Sequence, residues 1–137
     1  MSYGMSSALQ SAIFQHLKDD AALATLVGSA IYDALPAGPL PSLYVVLGPE
    51  DVRPATDQSG GGAWHRITLS VITDGAGFQA AKDAAGALSD ALCNASLALS
   101  RGRLSALNFY RARARREGSS EIRRIDITFR ARVEDTH

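Results

Sequence analysis

Three segments of the chain carry apolar residues at helical spacing. These residues are Leu9, Ile13 and Leu17 in the first segment, Leu23, Leu26 and Val27 in the second, and Phe78, Ala81, Ala85, Leu88 and Leu92 in the third. Residues three or four apart share one face of a helix, so the pattern predicts two short helices and one longer helix. Asp19 or Asp20 is placed to cap the second helix, which Gly28 ends. Gly86 costs roughly 1 kcal/mol in a helix interior, so it predicts close packing there.

Other segments alternate apolar and polar residues with a period of two, which is typical of strands with one buried face. The predicted strands cover residues 43–47, 64–72, 107–115 and 125–133. Pro49 is expected to end the first strand, and residues 117–120 form a turn signal between the last two. The order α-α-β-β-α-β-β predicts an α+β fold in one domain spanning residues 1–137. Its sheet is mainly antiparallel and four-stranded, with helices packed on one face.

A polar stretch at residues 50–63 separates the first two predicted strands. We interpret it as a long loop that docks onto a partner and becomes ordered in an assembly. The predicted docking residues are Asp57, Gln58, Ser59, Gly60, Gly61 and Gly62. The triple glycine lacks the Lys-Ser/Thr that follows in a phosphate-binding loop, which favours a loop tip.

Charge is unevenly distributed although the net charge of the chain is zero. Residues 101–137 contain ten arginines and five acidic residues, a net charge of +5, and the rest of the chain carries −5. The predicted interface consists of Arg111, Arg113, Arg115, Arg116, Arg123, Arg124, Arg130 and Arg132. These arginines could contact phosphates or the acidic surface of another subunit. Asp126 and Glu134 lie in phase with some of them, so a partly self-neutralised, solvated face is the alternative.

The sequence offers few residues for catalysis or metal binding. It has one cysteine, Cys93, and three scattered histidines, which do not make a typical zinc site. Cys93 ends an apolar helical stripe, where a buried structural thiol is usual. We therefore expect no enzyme activity, cofactor or metal. No signal peptide or membrane-spanning stretch is recognisable, so a soluble cytoplasmic protein without a membrane partner is expected.

Several phrases, in this order, resemble a known family. They are Leu9-Gln10-Ser11-Ala12-Ile13, the run from Asp20 to Gly28 leading into Ala30-Ile31-Tyr32-Asp33, then Pro36, Leu43-Tyr44-Val45-Val46-Leu47-Gly48, the strand from His65 to Val71, and Phe129-Arg130-Ala131-Arg132-Val133-Glu134. The chain resembles the tail terminators, also called tail completion or head–tail joining proteins, of long-tailed phages and gene transfer agents. The resemblance spans about residues 7–134.

The resemblance implies a structural virion protein with a sheet covered by helices on one side. Such proteins form a hexameric ring at the head-proximal end of the tail. The ring stops polymerisation of the tail tube protein, presents a surface to the head–tail connector, and lets DNA pass through its lumen. The family has no fixed interface motif, so the resemblance assigns no site residue. A stand-alone nucleic-acid-binding module that uses the C-terminal arginines is the second hypothesis.

Overall fold

The computed structural model describes residues 3–55 and 62–135 and confirms the α+β fold with helices on one face of a sheet. The helices are α1 (Ser6–Lys18), α2 (Ala21–Val27) and α3 (Gln79–Leu92). The strands are β1 (Ile31–Tyr32), β2 (Leu43–Pro54), β3 (Gly62–Thr73), β4 (Arg103–Arg116) and β5 (Arg123–Glu134). The Asp20 side chain accepts a hydrogen bond from the Leu23 N–H at 2.9 Å, which confirms the cap of α2.

The sheet has the strand order β1-β2-β3-β5-β4. Its four long strands pair antiparallel, as predicted, while β1 pairs parallel with β2 through Ile31 opposite Val45. The predicted four-stranded sheet therefore lacked one strand. Two residues are too few to show a period, and three prolines follow β1 closely, so the sequence of this segment predicts an irregular connection.

The prediction that Pro49 ends its strand was wrong, because β2 continues to Pro54. A register shift between Leu47 and Glu50 accommodates Gly48 and Pro49 as a bulge. A Cβ atom at position 48 would lie 2.8 Å from the backbone oxygen of Thr68, so the strands approach closely where glycine stands.

The core lies between the three helices and one face of the sheet. The stripes of α1 and α3 are confirmed, because Leu9, Ile13, Leu17, Leu88 and Leu92 are all buried. In the α2 stripe Leu23 and Val27 are buried, but the prediction was wrong for Leu26, which is 40% exposed. The sheet contributes alternate residues to this core, namely Val45, Leu47, Ile67, Leu69, Val71, Ile125, Ile127, Phe129, Ala131 and Val133. Gly86 does not mark close packing, since a Cβ atom there would meet no atom within 4 Å.

A polar cluster ties the start of α1 to β2 on the helical side of the sheet. The Glu50 carboxylate accepts hydrogen bonds from the Ser6 hydroxyl at 2.6 Å and the Tyr3 hydroxyl at 2.9 Å, and its other oxygen lies 2.8 Å from Nδ1 of His65. Burial opposes ionisation of Glu50, but these hydrogen bonds outweigh it and lower its pKa. None of the helices in the described ranges is both long and apolar enough to span a membrane.

Candidate functional site: the uncovered face of the sheet

One face of the sheet carries no helix, and we call it the open face. On β5, Arg124, Asp126, Thr128, Arg130 and Arg132 alternate with the buried core residues and therefore lie on this face. The opposite residues of β3 are Ile72, Ser70, Thr68, Arg66 and Trp64. The open face is thus polar and rich in arginine, as the period of two predicted.

A bulge in β4 brings its arginines to the same face. The register between β4 and β5 shifts between Phe109, opposite the buried Phe129, and Arg111, opposite Thr128. Strict alternation would place Phe109 and Arg111 on one face, but the extra residue, Tyr110, separates them. Phe109 therefore lies on the helical side, whereas Arg111 and the two in-phase arginines that follow lie on the open face.

A hydrogen-bond network surrounds Asp126 in the middle of this face. Its carboxylate accepts bonds from the Ser70 hydroxyl at 2.6 Å and from Nε of Arg124 at 2.9 Å. Arg124 also donates to Ser70 at 3.1 Å and to Glu117 at 3.1 Å. Burial opposes ionisation of Asp126, but the hydrogen bonds from Ser70 and Arg124 outweigh it, so its pKa is lowered.

Aromatic rings hold other arginines of the open face. The guanidinium carbon of Arg130 lies 3.7 Å from the centre of the Trp64 ring, and that of Arg132 lies 5.6 Å from it. Arg66 lies 4.3 Å from the centre of the Tyr110 ring. Such cation–π contacts fix the planes of the guanidinium groups. The sequence interpretation missed this role of Trp64, Arg66 and Tyr110, whose signal is the in-phase pairing of aromatic residues with arginines.

Acidic residues neutralise part of the arginine set, as their phase predicted. Asp126 lies 3.5 Å from the Arg115 guanidinium, and Glu134 lies 3.6 Å from that of Arg132. Arg111 and Arg113, by contrast, are exposed and have no hydrogen bond or ion pair within residues 3–55 and 62–135. These two side chains border a groove lined by Thr68, Arg111, Arg113, Arg115, Asp126 and Thr128.

Two predicted interface arginines lie elsewhere. Arg123 donates to the Gly75 carbonyl at 3.1 Å and lies 5.5 Å from the Phe78 ring centre, on the helical side of the sheet. Arg116, opposite Arg123 at the hairpin end, is 3.6 Å from Glu121. The structure therefore gathers six of the eight predicted arginines on the open face and leaves Arg116 and Arg123 at its end.

Most of the predicted docking loop cannot be compared with the structure. Asp57, Gln58, Ser59, Gly60 and Gly61 lie outside the described residues. Gly62 does not belong to a loop, because it is the first residue of β3 and pairs with Glu134. A Cβ atom at Gly62 would clash with the Arg132 guanidinium.

The open face can bind anions, because Arg111 and Arg113 present guanidinium donors that nothing in the described part of the chain occupies. Across that same part, no group of His, Cys, Asp and Glu side chains could hold a metal ion.

Comparison with known proteins gives two matches of wide coverage. The model of the family described as tail completion protein gp17 matches residues 11–134. The fold is also similar to a chain in a structure of the virion of a native gene transfer agent particle, with a TM-score of 0.92 and 59% sequence identity. That similarity covers 97% of this chain and 99% of the other. A comparison with curated proteins gave no match.

Proposed function

The chain belongs to the tail completion protein gp17 family, and from this premise we propose that it forms a hexameric ring at the head-proximal end of a phage or gene transfer agent tail. The ring ends polymerisation of the tail tube and joins the tail to the head. The protein acts structurally, without enzyme activity or a cofactor.

The observation that carries the proposal is the similarity to a gene transfer agent virion protein over nearly the full length of both chains. At 59% identity this likeness extends to sequence as well as fold. The charge distribution supports a ring, because subunits in a closed ring meet through two different surfaces, and a molecule with separated positive and negative charge offers such a pair.

The open face supplies contacts in this assembly. Arg111 and Arg113 are free to pair with carboxylates of a neighbouring subunit, the tail tube protein or the head–tail connector, or with DNA phosphates in the lumen. The predicted loop at residues 57–61 is the second docking element. DNA contact through arginines to phosphates carries no sequence specificity.

Electron microscopy of particles from a producing strain that lacks this gene tests the proposal. We expect overlong or ragged tails beside unattached, filled heads, and restoration of normal particles by the wild-type gene. Tails of normal length that fail to join heads would indicate that the protein connects tail and head but does not terminate the tube. Normal infectious particles would refute the virion function.

Charge reversal tests the contribution of the arginines within the same system. Arg111→Glu with Arg113→Glu should fail to restore tail joining, because both side chains lack partners within the subunit. Lys82→Glu, on the exposed side of α3 and away from the open face, is the control charge reversal and should restore it. Normal particles from the arginine variant would show that Arg111 and Arg113 are not part of the interface.

A second function, nucleic-acid binding by the isolated protein, is favoured by the same unpaired arginines beside exposed Tyr110. It predicts DNA binding that weakens steeply with salt, and loss of Arg111 and Arg113 should reduce the salt slope by about 2, one for each phosphate contact. Absence of binding at low salt would exclude this function.

A further inference from the structure

The free edge of the sheet carries an exposed aromatic pair. β4 is the last strand of the sheet, and the segment at residues 94–98 flanks its outer side near Leu107, whose carbonyl accepts from the Asn94 N–H at 2.8 Å. Beyond this point Phe109 is 50% exposed and Tyr110 is 43% exposed. Exposed aromatic residues next to arginine are typical of the centre of a protein interface.

Phe109 and the nearby Arg111 project on opposite sides of the sheet. The Phe109 ring makes an edge contact with the buried Phe129 ring, with 6.4 Å between centroids, and so projects on the helical side. Arg111 follows across the bulge and projects on the open face. A partner that meets this edge therefore encounters an apolar ring on one side and a cation on the other.

The opposite edge of the molecule has a matching arrangement. β1 pairs with two residues of β2, so the segment from Leu47 to Pro54 has no strand on its outer side within the described residues. On the helical side of this edge a groove runs along α1, lined by Tyr3, Ser6, Ser7, Gln10, Ser11, Phe14 and Asp33. Its aromatic residues and aliphatic stems can receive a ring.

Charge on this opposite edge is acidic. Glu50 lies on the helical side, where it binds Tyr3 and Ser6 of the groove, and Asp51 lies on the open face, where Arg53 contacts it at 3.1 Å. The Asp51–Arg53 pair is largely exposed, so it contributes little and can be exchanged for another partner. A groove that contains the Tyr3 and Phe14 rings and has an acidic open-face neighbour complements an aromatic ring with a basic open-face neighbour.

We propose that subunits join edge to edge, with Phe109 of one copy seated in the α1 groove of a second copy and Arg111 paired with Asp51 of that copy. This inference rests on the proposed ring and names the contact that closes it. The two surfaces differ, since one lies along β4 and the other along α1 and β2, so the contact is heterologous and repeats around a ring. Contact between two β4 edges would instead give a two-fold dimer.

Directed disulfide formation tests the contact in purified protein and in particles. In a Cys93→Ser background that keeps Phe109, Ala112→Cys with Ser11→Cys should give a cross-linked ladder of chains up to the ring, because Ala112 is exposed beside Phe109 on the helical side of β4. Ala112→Cys with Asp83→Cys places the second thiol on exposed α3, outside the groove, and should stay uncross-linked. The mass of the assembly, measured by light scattering and native mass spectrometry without oxidant, reports independently whether a ring exists.

The outcomes separate this inference from the proposed function. A ladder with the groove pair and none with the α3 pair supports the contact. A ring of normal mass in which the groove pair does not cross-link overturns the contact and leaves the ring standing. Monomers in solution and in particles would overturn both the contact and the proposed ring.

A charge exchange supplies a second test. Arg111→Asp alone should raise the concentration needed for assembly at least tenfold, and adding Asp51→Arg should restore most of the loss, because the pair is re-formed with reversed sign. Phe109→Ser should disrupt assembly, whereas Leu26→Ser, at a residue 40% exposed on α2, should not. Circular dichroism checks that each variant is folded. Equal effects of Phe109→Ser and Leu26→Ser would overturn the contact.

Discussion

Replacing Asp126 by asparagine should destabilise the folded subunit by about 2 kcal/mol. The carboxylate accepts two short hydrogen bonds, from Ser70 at 2.6 Å and Arg124 at 2.9 Å, and Arg115 lies 3.5 Å away. A hydrogen bond to a charged group contributes about 1.5–3 kcal/mol. Both short bonds end on Oδ1, which asparagine keeps. Asparagine removes the negative charge that strengthens these bonds and turns an N–H donor toward the Arg115 guanidinium at the second position, so the loss should equal about one bond to a charged group.

Urea unfolding followed by fluorescence of Trp64, the single tryptophan, measures the change at a concentration where the chain is monomeric. For a chain of 137 residues, a loss of about 2 kcal/mol lowers Tm by roughly 6–8 °C. Glu121→Gln is the matched control in the same hairpin, because Glu121 is 81% exposed and pairs with Arg116 at 3.6 Å. It should change the free energy of unfolding by less than about 0.5 kcal/mol.

The difference in unfolding free energy between wild type and Asp126→Asn should depend on pH, because the pKa of Asp126 is lowered in the folded state. The stabilising contribution is fully present above the unfolded pKa of about 3.9 and is lost as the pH falls through the lower folded pKa. The gap between wild type and Asp126→Asn should therefore be constant near pH 7 and close progressively below about pH 4. A loss no larger than that of Glu121→Gln, or a gap that persists unchanged at low pH, would refute the reasoning.

Three further changes test other parts of the structure by the same unfolding measurement. Gly48→Ala should destabilise the fold by about 1–3 kcal/mol, because its Cβ would lie 2.8 Å from the Thr68 backbone oxygen. Gly86→Ala should stabilise it by about 0.5–1 kcal/mol, because the space around this position of α3 is open. A stabilised Gly48→Ala variant would contradict the close approach of the two strands. Phe129→Ala should cost about 3–5 kcal/mol, because the ring is fully buried, and a loss below about 1 kcal/mol would contradict its central position in the core. Glu50→Gln should lower the free energy of unfolding at pH 7 and lose this effect below about pH 4, because hydrogen bonds from His65, Ser6 and Tyr3 lower the pKa of Glu50. An effect independent of pH would show that the charge of Glu50 does not contribute to stability.

Periodicity predicted the elements that are long and amphipathic, but it could not predict local interruptions. The stripes of α1 and α3 and the arginine hairpin extend over enough residues to show a period. β1 has two residues, and the bulge at Gly48 and Pro49 looks like a strand end in the sequence. The bulge at Tyr110 has the same origin, because it changes which residues share a face without changing the composition.

The candidate site was predictable in its charge and only partly in its geometry. The phase of Asp126 and Glu134 predicted partial neutralisation of the arginines, and the structure confirms it at 2.9 Å and 3.6 Å. The lack of partners for Arg111 and Arg113 depends on which neighbouring strand lies beside them, which a single sequence does not contain. The stacking of Arg130 on Trp64 likewise depends on the pairing of β3 with β5.

The most direct test of the proposed ring is a cryo-electron microscopy map of the head–tail junction in purified particles. The account predicts six copies of this subunit in a closed ring at the head-proximal end of the tail tube, with Phe109 of each copy against α1 of the next. Density for the subunit at the distal end of the tail, or its absence from the junction, would contradict the account.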